Sequence, residues 1–156
     1  MSVLIQGYQL RVSEFGIQIV KGPTVLPAGA TATLATVAGG SIMVTSMLGL
    51  CTTVCSGTAT TLALGTAPTI GTAATGGIAS ALAITSKEAG TWVTPIVNAG
   101  VGGALTVGTN AGAAVYLTTP FIVAAGTITW TTSATNTGAF KWYFTYVPLD
   151  IGASLS

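Results

Sequence analysis

Apolar and polar positions alternate most cleanly near the C-terminus. In Ala139–Val147 the even positions Phe140, Trp142, Phe144 and Tyr146 make one aromatic face, and Lys141, Tyr143, Thr145 and Val147 make the other. A period of two marks a strand with one face in a core. Gly126–Thr132 alternates in the same way, setting Ile128 and Trp130 against Thr127, Thr129 and Thr131. Between them, Ser133–Gly138 carries Asn136 and Gly138, which tolerate positive φ, so the pattern predicts a hairpin. Pro148 and Gly152 then end the sheet and leave a short tail. A second hairpin is predicted with Ser41–Cys55 as a long strand, Ser56-Gly57 as the tight turn and Thr58–Leu64 as the return. Further strands fit Gln9–Val12, Gly16–Val20, Thr31–Val37, Ala81–Thr85, Thr91–Val97, Ala104–Val107, Ala113–Leu117 and Phe121–Val123.

Strong helix formers are rare, while Thr, Val, Ile and Gly abound, with Gly at 21 of 156 residues spaced as turns are in all-β folds. Short strands at roughly 8–12-residue spacing predict an all-β, single-domain antiparallel sandwich, jelly-roll-like. Residues 13–156 form the sandwich domain, and residues 1–12 are either an N-terminal arm or its first strand. Val25-Leu-Pro-Ala-Gly29 and Ile122-Val-Ala-Ala-Gly126 echo one another ahead of Thr-rich strands, which suggests two equivalent loop-to-strand passages. No aromatic lies between residues 16 and 91, and eight of eleven follow residue 115, so the late half must supply the bulky core. The small side chains of the middle bury less area each. A neighbouring subunit is the favoured source of support there, ahead of a plain flexible loop around Gly65–Gly77.

Charge changes the picture. Only 4% of residues are charged and the net charge is +1. Residues 22–86 and 89–140 carry no charge at all. Four scattered cations release few counterions from a polyanion, so no nucleic-acid partner is expected. Mean hydropathy is high at +0.78, yet Gly, Ala, Thr and Ser interrupt every apolar run. A spanning helix needs roughly 18–20 consecutive apolar residues, and the aromatics do not form the two girdles of a membrane barrel, so no membrane partner is expected either. The hydrophobicity is better explained by surface that other subunits cover. The N-terminus reads as lacking a secretory signal. Cys51 and Cys55, if extended, share a face about 13 Å apart, too far to bridge, and read as small apolar residues of a buried face kept reduced in a cytoplasm.

Chemistry is hard to find. There is no histidine, hence no usual general base or metal ligand. Glu14, Glu88 and Asp150 are far apart in sequence, and Glu14 and Glu88 read as surface charges beside Arg11 and Lys87. Nucleophile elbows, P-loops and G-x-G-x-x-G turns are absent. Gly100–Gly108 reads as a hairpin loop, and the T-x-T runs Thr31-Ala-Thr33 and Thr127-Ile-Thr129 as ordinary strand faces. The expectation is a protein that is not an enzyme and holds no cofactor or metal.

Gly7–Gly16 (GYQLRVSEFG), Thr33–Thr45 (TLATVAGGSIMVT) and the closing GTITW…NTGAFKWYFTYVPLD of Gly126–Asp150 resemble small structural proteins of tailed bacteriophages. The resemblance implies a virion structural protein, a capsid decoration or cement subunit on the outer capsid surface, assembled in the host cytoplasm. Its partners would be the major capsid protein and copies of itself, as a homotrimer. Tyr8 and Arg11 would anchor contacts to a neighbour, because aromatic and Arg side chains dominate contact energy. The alternative is a tail or fibre module: a tail-tube subunit, or a receptor- or glycan-binding domain using Trp92 and Tyr116 with Asn98 and Asn110. Trp92 by itself reads more simply as core.

Overall fold

The computed structural model describes residues 15–96, 104–107 and 120–156. In chain order the strands are β1 (Ile17–Val25), β2 (Thr31–Ala38), β3 (Ile42–Thr53), β4 (Thr61–Pro68), β5 (Ala74–Ala83), β6 (Trp92–Ile96), β7 (Ala104–Val107), β8 (Phe121–Val123), β9 (Gly126–Thr132), β10 (Ala139–Pro148) and β11 (Ser154–Leu155). They form two antiparallel sheets. Sheet A runs β1-β10-β3-β6-β7, with β8 also pairing β3, and sheet B runs β11-β2-β9-β4-β5. The protein is an all-β sandwich, as the period-two pattern predicted.

Seven of the ten steps from one strand to the next pass from one sheet to the other. β1 pairs β10, β2 pairs β9, β3 pairs β8 and β4 pairs β5, so the pairs nest inside one another like a long hairpin rolled over a core. Both predicted hairpins are therefore corrected. β9 lies in sheet B and β10 in sheet A, and β3 lies in sheet A and β4 in sheet B. Each of these strands has its own apolar face, and a pair joined in one sheet would have left the opposite sheet without its half of the core. A loop of six residues spans the ~10 Å between packed sheets without strain. The hairpins of the described residues are β4–β5 and β6–β7. The segment weighed as a flexible loop, Gly65–Gly77, is largely strand: β4 runs to Pro68 and β5 begins at Ala74. A Cβ on Gly65 would collide with the Ala74 carbonyl, so a glycine permits that close approach.

The two echoed segments do occupy equivalent places. One leads from β1 in sheet A to β2 in sheet B, the other from β8 in sheet A to β9 in sheet B, and β2 and β9 are neighbours. The short tail is also corrected. Ser154–Leu155 adds to β2 as β11, Leu155 is buried, and Ser156 exchanges two backbone hydrogen bonds with Thr36.

The core is filled from both inner faces. Sheet A contributes Ile42, Val44, Met47, Phe140, Trp142, Phe144 and Tyr146, and sheet B contributes Leu34, Val37, Leu62, Leu64, Ile128 and Trp130. The four aromatic even positions of β10, Phe140, Trp142, Phe144 and Tyr146, are buried, as the alternation predicted. Asn136, in the β9–β10 crossing, is buried too. Its Oδ1 accepts from the Ser56 and Gly138 backbone N–H groups at 2.8 and 3.1 Å, and its Nδ2 donates to Thr60 Oγ1 at 3.1 Å. One amide thus ties the β9–β10 crossing to the β3–β4 crossing at the same end of the sandwich.

Candidate assembly surface

Because side chains alternate across a strand, the odd positions of β10 and their neighbours build the outer face of sheet A. Register defines its rows. Val20 of β1 lies beside Tyr143 of β10, which lies beside Leu48 of β3. Lys141 lies beside Leu50, which lies beside Trp92 of β6. Val147 lies beside Met43, which lies beside Ile122 of β8. Cross-strand neighbours stand roughly 5 Å apart, so the first two rows form one apolar patch, which the polar row Gln18–Thr145–Ser46 separates from the third. The patch's one charge among the described residues is Lys141, whose Nζ sits 5.3 Å from the Tyr143 ring centroid. Trp92 packs against the same ring, 5.8 Å between centroids and tilted by 41°.

This placement corrects one reading. Trp92 is half-buried on the outer face and is not a member of the core; Val93 points inward in its place. A short apolar run such as Thr91–Val97 does not state its phase, so its register against Leu50 decided which residue faced out. The two anchors proposed from sequence, Tyr8 and Arg11, lie outside the described residues, as do Glu14, Asn98, Asn110, Tyr116 and the strands expected at Gln9–Val12 and Ala113–Leu117.

β1 forms one rim of the face. Among the described residues it pairs only with β10, which leaves its other side without a partner strand there from Ile17 to Lys21, after which the register shifts before Thr24. An open edge of this kind can add a strand from another chain, and Lys21 and the irregularity restrict how far such pairing extends.

The described groups with chemical potential do not converge. Glu88 lies in the loop before β6, whereas Asp150 lies at the opposite end, where its carboxylate accepts from the Ser41 backbone N–H at 2.6 Å. Among the described residues no three His, Cys, Asp or Glu side chains are grouped as a metal site would need. Cys51 and Cys55 do meet. β3 ends at Thr53 and the chain turns, so the extended separation expected from sequence does not apply, and the two thiols hydrogen-bond to each other. Both are free and buried. The Cys51 thiol also donates to the Thr53 carbonyl at 3.1 Å, and the Cys55 backbone N–H donates to the Lys87 carbonyl at 2.9 Å. The bond to Cys51 and then burial push the Cys55 thiol far above its ordinary range, which holds it protonated and poorly nucleophilic.

Set against known proteins, the chain matches no family model, no curated protein and no solved structure.

Proposed function

We propose that this chain is a virion structural protein, a decoration subunit that binds the outside of a phage head through the outer face of sheet A. The observation that carries this reading is the apolar row structure of that face, with Leu48, Leu50, Trp92 and Tyr143 side by side and a single cation among them. A surface of this make-up gains most by being covered, since apolar area removed from water contributes roughly 25 cal/mol per Å². Aromatic anchors with a polar handle suit protein contacts. Taking β6–β7 as an insertion and β11 as an addition, the remaining eight strands nest in the pairing of a jelly roll, an architecture found in capsid and lectin domains. Many identical modest contacts on one shell then act together. The partners are the major capsid protein and further copies of the chain.

A tail or fibre module that grips a glycan is the second reading, favoured by the Trp92–Tyr143 pair beside Lys141 on the surface. Antibody labelling of intact virions separates the two, with signal on heads expected and signal on tails overturning the decoration reading. Co-sedimentation of the purified chain with expanded heads tests the face itself. Leu48→Asp, which puts a charge beside Tyr143, should weaken uptake at least tenfold, and unchanged uptake would remove sheet A from the contact. Deleting residues 1–12 in the same assay tests the arm.

A further inference from the structure

The large apolar side chains left in water are not spread evenly. Phe15, Ile70, Ile122 and Leu149 are 75%, 91%, 68% and 48% exposed, and Ile151 is wholly exposed. All five belong to one end of the sandwich. Phe15 precedes β1, whose first residue pairs with Tyr146 near the end of β10. Leu149 and Ile151 lie in the loop that leaves β10, where the Leu149 backbone N–H donates to the Ser41 carbonyl at 3.0 Å. Ile122 pairs with Met43 at the start of β3. Ile70 is in the β4–β5 turn, held to the same end by the Thr69 N–H bond to the Ala125 carbonyl at 2.8 Å.

Charge is distributed the opposite way. Among the described residues this end carries Asp150 alone, engaged with Ser41. Lys87 and Glu88 sit in the loop at the far end, and Lys21 and Lys141 lie on the half of sheet A nearer to it. Two exposed valines, Val25 and Val54, are also found at the far end, among these charges.

We infer that a second copy of this chain docks on this apolar end, the two ends meeting like against like. Two observations choose that occupant. Among the described residues a pair meeting here brings together no charges beyond two engaged Asp150 carboxylates, whereas meeting at the far end would bring together the Lys87 and Glu88 of both copies. Together the five side chains expose several hundred Å² of apolar surface, on the scale of the ~800 Å² per partner of a stable interface. Among the described residues this end offers a lipid surface neither a cation to bind headgroups nor a belt of aromatics beyond Phe15. The inference is independent of the decoration reading, because it concerns the free protein in solution and does not use the Leu48, Leu50, Trp92 and Tyr143 patch, although Ile122 belongs both to this end and to the outer face of sheet A.

Sedimentation of the full-length chain over a concentration series tests it, comparing wild type with the Ile70→Asp/Ile151→Asp double variant. Both substitutions lie on exposed turns, and near-UV circular dichroism of the core tryptophans verifies that the variant is folded. Wild type should reach dimer mass, and the variant should dissociate at least ~100-fold more readily, about tenfold for each substituted position. A wild type that stays monomeric at high concentration, or a folded variant that associates equally well, overturns the inference. So does wild-type protein that co-sediments with phosphatidylcholine vesicles while remaining monomeric.

Discussion

The indole of Trp142 fills the space that a side chain on Gly49 would occupy: a Cβ built on Gly49 would stand 2.9 Å from the ring. The two residues face each other across β10 and β3. The glycine lets the largest core side chain lie across the inner face of sheet A, where its ring meets Trp130 of sheet B edge-on at 6.2 Å and 85°. Edge-on aromatic pairs add roughly 0.5–1.5 kcal/mol beyond the area they bury.

Gly49→Ala should therefore destabilise the fold by about 1–3 kcal/mol, the range for overpacking a filled core. Chemical denaturation followed by tryptophan fluorescence measures it. A neutral result would mean that Trp142 relocates freely, and the pairing of the two indoles would lose its structural role.

Among the described residues the buried Trp142 Nε1 has no hydrogen-bond partner. An orphan donor in a core costs roughly 1–3 kcal/mol, so Trp142→Phe should lose less stability than its reduced volume implies, at most about 2 kcal/mol. The same denaturation experiment on the variant decides, with a loss above about 4 kcal/mol counting against the orphan-donor argument.

Asn136→Ala strips the acceptor from the Ser56 and Gly138 backbone groups and the donor from Thr60. Leaving buried polar groups unpaired predicts a loss of about 2–4 kcal/mol, larger than for a surface asparagine. Thermal unfolding of the variant gives the value.

Cys55 confers a specific alkaline sensitivity. Its thiol is held protonated in the fold by the bond to Cys51 and by burial, whereas an unfolded thiol ionises at about pH 8.5. Below that pH both states carry the proton and the stability is intact. Above it the unfolded state alone releases a proton, so stability declines with rising pH by up to ~1.4 kcal/mol per unit for one group. Cys55→Ala should flatten this limb between about pH 9 and 10.5 in thermal unfolding, whatever its effect at neutral pH.

Truncation after Gly152 removes β11, with buried Leu155 and the paired Ser156–Thr36 backbone bonds. The loss should be about 2–3 kcal/mol, mostly from Leu155. An unaffected melting temperature would return these residues to the status of a loose tail.

Local pattern reached far into this protein. The strictly alternating stretches Gly126–Thr132 and Ala139–Val147 are strands, and their aromatic positions Trp130, Phe140, Trp142, Phe144 and Tyr146 are buried, because a pleated strand with one dry face permits no other assignment. Ala104–Val107 and Phe121–Val123 likewise match their predicted bounds. The reach ended where contacts join distant residues. Whether consecutive strands pair or cross depends on which sheet lacks an apolar layer, so the hairpins at Ser56–Gly57 and Ser133–Gly138 proved to be crossings stapled by Asn136. The partner of β1 lies more than a hundred residues away in β10.

The chain's own order of residues determined that it would be β-built and poorly charged, since those properties follow from side-chain type and a two-residue period. Only the three-dimensional arrangement decided that Trp92 faces outward beside Tyr143, that the two thiols come together, and that exposed apolar side chains from four separate segments share one end. Such groupings arise from non-local register, which no short window of sequence contains.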